Sequence, residues 1–154
     1  GDTIVDEKRR NDNVLIKSFI ELNLKFISKY EKLYWFLISM GYRTYRILPI
    51  LFKEFWPRYD KPTPPEIKKI IDITAKNKFG IYYNPKRGII KPKAKNKLKP
   101  QFAMIPPTGL KNPHIKFFIE KNPGYIQGEE LACITELSKK NFNKTLLRRF
   151  GFDI

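Results

Sequence analysis

The chain has one cysteine and one histidine, and these two counts limit its chemistry. Cys133 lies in an apolar run, where a thiol behaves as a small hydrophobe, so the sequence predicts no disulfide framework. A structural zinc site needs four ligands and a catalytic one usually three, which Cys133 and His114 cannot supply. We therefore expect no metal site.

Long hydrophobic runs are also missing. The longest, from Leu33 to Ile38, is too short to cross a bilayer, and the first residues are not those of a signal peptide. Cytoplasmic placement is the default expectation. The chain opens with Gly1 rather than Met, which indicates a processed or excised product and leaves open a missing N-terminal half or a partner chain.

Acidic residues are scarce, with 15 Asp and Glu against 31 Lys and Arg, giving a formal net charge of +16. This balance favours an anionic partner such as nucleic acid, lipid head groups or a phosphorylated cofactor. The alternative is compositional bias, because Lys, Ile and Asn are abundant throughout. Hydrophobic residues make up 42% of the 154, enough for one folded domain.

The first half of the chain predicts alternating helices and strands. Leu15, Phe19, Leu22 and Phe26 have the spacing of one helix face, which Ile16, Ile20, Ile27 and Tyr30 widen, so we expect a helix over about 14–30 with this broad stripe in the core. The continuous apolar run 33–38 is typical of a central strand covered on both faces and parallel to its neighbours. A further helix follows, bent or restarted at Pro49.

Capping signals organise the second half. Thr63, followed by Pro64 and Glu66, reads as a capping box for a helix over about 64–77. Asn112 precedes a short helix that ends at residue 121. Strands are predicted over 88–90 and 130–137, and Ser138 is expected to cap a final helix that stops at Gly151.

This order of elements predicts a mixed α/β fold with a right-handed crossover. The predicted organisation is a strand-helix-strand-helix unit over 1–60, a capped helix over 61–81, a basic connection rich in Pro and Lys over 82–111, and a helix-strand-helix segment over 112–154 that completes the same domain. We treat the connection as a loop or linker.

A possible anion site lies near the start. Residues 3–5 look like a strand end, and a loop with Lys8, Arg9 and Arg10 then leads into the first helix. A helix N-terminus presents free N–H groups and a positive dipole end to phosphate. A solvated connection is the alternative interpretation of this loop.

The stretch 3–59 resembles the second half of a GNAT (Gcn5-related) N-acetyltransferase. The sequences LYWFLISMGYRTY at 33–45 and NPG…GEEL at 122–131 resemble uncharacterised bacterial proteins of this general kind. The resemblance implies a GNAT-like sheet flanked by helices and an acetyl-CoA or other acyl-CoA cofactor. The cleft would lie between the strand ending at Val5 and the strand 33–38. The chain would be an acyl-CoA-binding domain, with N-acyltransferase activity as the further expectation.

The resemblance also assigns site residues. The pyrophosphate loop of the family reads R/Q-x-x-G-x-G/A; here neither glycine is present, so the loop is degenerate. The implied cofactor-binding residues are Arg9, Arg10, Asn11, Asn13, Val14 and Leu15. Tyr42 or Tyr45 stands where the family has a tyrosine that protonates the departing thiolate; a buried helix aromatic is the alternative for each.

A second hypothesis is a non-catalytic basic module that binds nucleic acid or belongs to a larger assembly. Its candidate surfaces are three basic clusters, with three aromatics available for stacking on bases. The clusters are Arg43, Arg46, Lys53 and Arg58 on one helix, the stretch 86–99, and Lys139, Lys140, Lys144, Arg148 and Arg149; the aromatics are Tyr82, Tyr83 and Phe102.

Acid and base candidates are few. Glu129 and Glu130 are adjacent, and neighbouring residues of a strand face opposite sides, so they are not expected to form a catalytic dyad. His114 stands at the start of a helix, where the dipole and its neighbours disfavour protonation; we expect a surface histidine rather than a base.

Overall fold

The computed structural model describes residues 14–92 and 103–152, which form a mixed α/β fold. None of the described helices is long and apolar enough to cross a membrane. The helices are α1 (Val14–Ile27), α2 (Tyr42–Tyr45), α3 (Ile47–Leu51), α4 (Pro65–Phe79), α5 (Pro113–Lys121) and α6 (Lys144–Arg149). The strands are β1 (Tyr34–Ser39), β2 (Tyr83–Asn84), β3 (Ile89–Ile90) and β4 (Glu130–Glu136).

The four strands form one sheet in the order β1-β4-β3-β2, and all of its pairings are antiparallel. In the longest pairing, Tyr34 of β1 lies opposite Glu136 of β4, and Ser39 lies opposite Leu131. The predicted strands at 88–90 and 130–137 are confirmed to within one residue. The mixed fold class is also confirmed.

The predicted parallel pairing of the strand at 33–38 is wrong, and within the described residues the strand does not have the predicted central position. β1 is an edge strand of the described sheet and pairs antiparallel, because β4 enters from near the end of the chain and takes the place between β1 and β3. The continuous apolar run has another cause. Helices cover both faces of the sheet at β1, so both sets of alternating side chains contact apolar neighbours.

The two faces carry separate apolar clusters. On one face, Ile71 and Ala75 of α4 pack against Ala132 and Ile134 of β4. The other cluster is larger; it contains Cys133 together with buried residues of the remaining helices, namely Ile20, Tyr42, Tyr45, Leu48, Leu51, Ile115, Phe118 and Leu147. The sheet therefore forms the middle layer, and β4 contributes to both clusters.

α1 occurs where it is predicted, and its buried side falls within the broad predicted stripe. Ile20 is fully buried, and Phe19 packs on Trp35 with ring centroids 4.4 Å apart. Leu15, Leu22 and Phe26, at the other edge of the stripe, are exposed. Apolar residues cover a wide arc of this helix, so the spacing alone does not distinguish which part of the stripe enters the core.

Two predicted helix starts are displaced. Thr63 is not a cap: α4 begins at Pro65, and Pro64 occupies the N-cap position with no side-chain hydrogen bond. Pro65 forces the residue before it out of the helical region, so the helix starts one residue late. Asn112, in contrast, caps α5 as predicted, since its side chain accepts from the His114 and Ile115 N–H groups.

The last helix starts at Lys144, capped by Asn143, rather than at Ser138. The residues between them are held by other partners. Phe142 forms a bridge with Phe52, and Asn141 Nδ2 donates to Glu54 O at 2.9 Å and to Glu136 O at 2.7 Å. These contacts keep the segment out of a helix until residue 144.

Pro49 does not break the helix that follows β1. The break falls at Arg46, between α2 and α3, and Pro49 occupies the first turn of α3. A proline is tolerated there because the first N–H groups of a helix have no partner within the helix.

The exposure difference along α1 predicts unequal mutational costs. Ile20→Ala should lower the free energy of unfolding by about 2–4 kcal/mol, because it removes buried methylene groups and leaves a cavity. Leu22→Ala should change it by less than about 0.5 kcal/mol, since Leu22 is 54% exposed. Urea denaturation of both variants measures this. Equal costs would show that the core stripe has been assigned incorrectly.

Asn141 predicts a second large effect. Its side chain bonds to the backbone of Glu54 and Glu136 and to the hydroxyl of Thr135. Asn141→Ala removes the partner of Glu54 N–H and of Glu136 O, whereas Glu54 O keeps its bond from the Thr135 hydroxyl, and we expect a loss of about 3 kcal/mol in denaturant unfolding. Asn77→Ala on the exposed side of α4 is the control and should cost little. Comparable losses would contradict the role of Asn141.

Candidate cleft at the end of the first strand

Most of the predicted cofactor residues cannot be compared with the structure. Arg9, Arg10, Asn11 and Asn13 lie outside the described residues, whereas Val14 and Leu15 form the first turn of α1 and are exposed. The first turn of α1 holds no acidic residue. The N–H groups of a first helical turn lack partners within the helix, so this end of α1 can donate to an anion.

The outer edge of β1 is unpaired within the described residues. Leu137 N donates to Leu33 O at 2.8 Å, which fixes the alternation: residues 35, 37 and 39 face β4, and residues 34, 36 and 38 point their N–H and C=O groups away from it. No described backbone group bonds to those outward groups. The edge therefore offers three donors and three acceptors to an extended molecule.

Tyr42 and Arg46 open into a cavity just beyond the end of β1. They are four residues apart, which places them on one side of the α2 helical turn. The Tyr42 hydroxyl accepts from Arg43 Nε at 3.3 Å, and the residue is only 5% exposed. The cavity has a volume of about 270 Å³. Of the two tyrosines that the sequence proposes, Tyr42 is the one that borders an open space.

Tyr45 faces the interior. It is fully buried, and its hydroxyl donates to Pro57 O at 2.8 Å. Burial raises the pKa of this phenol far above its ordinary value, so the proton is held tightly. Its ring packs against Phe55, Phe117 and Phe118. The structure thus places Tyr45 in the core, the alternative interpretation of its helical position.

The far wall of the cavity is formed by the segment before α5. Thr108, Gly109 and Asn112 line it together with Pro106 and Ile115. A Cβ atom on Gly109 would lie 3.1 Å from Ile105 Cγ2, so the absence of a side chain lets this wall pack closely. Asn112 has a local sequence signal as a helix cap, but nothing in the sequence indicated that these residues face Tyr42.

Comparisons with known proteins leave the family open. Scans against family models, curated proteins and solved structures each found no match. The residues and their geometry therefore carry the functional argument.

His114 is held between aromatic rings. The Phe55 ring lies 5.7 Å and the Tyr59 ring 4.9 Å from it, centroid to centroid. Burial lowers its pKa, and Arg58 and Arg46 lower it further, against the opposite effect of Asp60. Its Nδ1 atom is buried without a hydrogen-bond partner in the described part of the chain. Protonation is disfavoured as expected, but the ring is half-buried rather than a surface group.

The other acid candidates are already engaged. Glu129 Oε2 accepts from Arg87 Nη2 at 3.0 Å, in an ion pair between the loop before β4 and the β2–β3 turn. Glu130 lies in β4. No group of three or more His, Cys, Asp or Glu in the described ranges could hold a metal ion.

The first of the three predicted basic clusters does not lie on one helix. Arg43 and Arg46 belong to the α2–α3 segment, but Lys53 and Arg58 lie beyond the end of α3, so the four do not share a helix. Tyr83 is buried and donates to Asp72 Oδ1 at 2.5 Å, which removes it from any stacking surface. Residues 93–99 and Phe102 lie outside the described residues.

Burial of Cys133 predicts an inert thiol and a specific pH dependence. The apolar surroundings raise the pKa of the thiol to about 12. The unfolded chain loses this proton near pH 8.5 and the folded chain does not, so the free energy of unfolding should fall as pH rises above about 8.5.

The measurement compares the wild-type chain with Cys133→Ala between about pH 8.5 and pH 10; tyrosines ionise in both chains alike, so the difference between them reports the thiol. The wild-type free energy should fall more steeply, by up to about 1.4 kcal/mol per pH unit. Native protein should also react with a thiol reagent only as fast as it unfolds. If the unfolding free energies of the two chains fall with the same slope, or if native protein reacts quickly with the thiol reagent, the thiol is accessible in the folded state.

Proposed function

We propose that the chain is a GNAT-like acyl-CoA-binding domain whose cofactor cleft runs along the outer edge of β1. The observation that carries this proposal is the outer edge of β1, which no described backbone group pairs; the chain continues from β1 into α2, where Tyr42 borders a cavity. The pantetheine arm of CoA is extended and carries amide groups, which are suited to hydrogen-bond with the outward groups of residues 34, 36 and 38.

The order of elements supports the same arrangement. α1 leads into β1, and in the GNAT resemblance the strand ending at Val5 would lie across the cleft from the outer edge of β1. The N-terminal turn of α1 would hold the pyrophosphate with its N–H groups, and Arg9 or Arg10 would balance the negative charge. The loop lacks both family glycines, so its backbone approaches the phosphates less closely.

Tyr42 is the tyrosine that we assign to acid chemistry. It is nearly buried, yet it borders the cavity at the end of the cleft. Within this proposal its hydroxyl donates a proton to the departing thiolate of CoA after acyl transfer. Tyr45 has no such part, since its hydroxyl is bonded to Pro57 O.

A second candidate is a basic module that binds nucleic acid without catalysis. The observation that favours it is the exposed pair Lys139 and Lys140, close in sequence to the basic helix α6 with Arg148 and Arg149. Binding of this kind uses many phosphates at once. It should therefore weaken steeply as salt displaces the lysine and arginine contacts.

The test is thermal stability with acetyl-CoA, with 3′-phosphoadenosine diphosphate, and with a short RNA, at about 50 mM and about 500 mM salt. We expect acetyl-CoA to stabilise the protein more than the nucleotide does, and to do so at both salt concentrations. At a concentration 100 times its Kd, a ligand stabilises by about 2.7 kcal/mol. Equal stabilisation by all three anions, abolished by salt, would favour the basic module.

A matched pair of variants separates the site from the overall charge. Arg9→Ala/Arg10→Ala and Lys139→Ala/Lys140→Ala remove the same charge, the first at the proposed pyrophosphate loop and the second at the remote pair. The first should weaken acetyl-CoA binding about tenfold or more, as expected for lost charge-assisted contacts. The second should leave it nearly unchanged. Equal losses would contradict the assigned loop.

A further inference from the structure

The cavity beyond β1 contains Arg46, which has no acidic partner among the described residues. The guanidinium of Arg46 makes no ion pair or hydrogen bond with any other described residue, and none of the residues that line the cavity is acidic. The side chain is half-buried. A guanidinium that is partly withdrawn from water gains most from an oxyanion, which it can bind through two parallel N–H donors.

The other cavities differ in this respect. In the cavity of about 360 Å³ beside α5, Arg58 bonds to both oxygens of Asp60, and Lys61 lies 3.0 Å from Glu54. The cavity of about 380 Å³ on the α4 face has Glu54 and Glu136 in its lining. In both, carboxylates offset the cations, so neither favours an anion as the Tyr42–Arg46 cavity does.

The other polar groups of the cavity are also suited to an anion. Thr108 supplies a hydroxyl donor opposite the helix that carries Arg46. Tyr42 stands one turn before Arg46 and also lines the cavity. The amide of Asn112 completes the polar lining, with its oxygen already directed at the first N–H groups of α5.

We propose that this cavity binds the anionic group, carboxylate or phosphate, of the acyl acceptor. The inference rests on the proposed function, because Tyr42 there marks the reacting end of the cleft. An acceptor held by Arg46 lies one helical turn from Tyr42 and hence next to the thioester. The acceptor class is an amine that also carries an oxyanion, and a simple amine is a poorer ligand.

The test uses amide and arginine side-chain NMR spectra of the full chain. The ligands are O-phosphoethanolamine, which is a phosphate with an amine, glutamate, which is a carboxylate with an amine, and ethanolamine, which lacks the anionic group. Ionic strength is held constant with chloride. We expect saturable shifts at Thr108, Gly109 and the Arg46 Nε–H for one or both of the anionic ligands, and no such shifts for ethanolamine.

Two substitutions locate the binding. Arg46→Gln should weaken the anionic ligand by roughly tenfold to a hundredfold, the range expected for a lost charge-assisted contact. Lys116→Ala removes an exposed charge from α5 and should change the affinity less than about twofold. Arg46→Lys keeps the positive charge but lacks the two parallel N–H donors of the guanidinium, so its affinity for the anionic ligand should lie between those of the other two variants. It replaces Arg46→Gln in the test if that variant does not fold.

The inference is overturned if Arg46→Gln binds as well as wild type, if ethanolamine shifts the same resonances, or if shifts spread evenly over the surface lysines. Acetyl-CoA binding, measured on wild type and Arg46→Gln, separates the two proposals. Anion binding at Arg46 without acetyl-CoA binding would support the anion site and contradict the proposal that the chain binds acyl-CoA. Acetyl-CoA binding without an Arg46-dependent anion site would retain the cofactor and refute this inference.

Discussion

The fold depends on β4, which pairs on both sides. β1 lies along one side; β3 and then Trp56 lie along the other, where Trp56 and Ile134 exchange two hydrogen bonds of 2.8 Å. Residues 131–135 are each no more than 2% exposed. Backbone groups buried to this degree must be paired, so β4 requires both partners. α1 and α4, on opposite faces, pack against a sheet that exists only when β4 is in place.

This dependence explains which features could be predicted from the sequence. Several signals that act within a few residues were read correctly, such as the Asn112 cap and the strands at 89–90 and 130–136, whereas the caps expected at Thr63 and Ser138 were not. The edge position of β1 could not be read, because it is decided by a partner almost a hundred residues away. The buried side of α1 likewise depends on the position of Trp35 and not on the helix alone.

The candidate site was predicted in part, for the same reason. The sequence proposes Tyr42 and Tyr45 equally for the same role, and only tertiary packing distinguishes them. Tyr42 borders a cavity, whereas the Tyr45 hydroxyl donates to Pro57 O. Thr108 and Gly109 could not be linked to Tyr42, since the contact joins distant segments. In the sequence Arg46 is one of many basic residues. It becomes a candidate binding residue only because no acidic side chain lines the cavity that it borders.

The net charge of +16 by itself does not identify a binding site, because the described cations differ in their surroundings. Arg58, Lys68 and Arg87 lie against carboxylates, and each such pair is a local structural contact at a half-exposed surface. Arg46 has no such partner within the described chain, although it is half-buried beside an open cavity. The cost of withdrawing a cation from water is offset only when an anion arrives. A half-buried arginine beside a cavity without acidic lining, more than the excess of lysine, distinguishes this end of β1 from the rest of the basic surface.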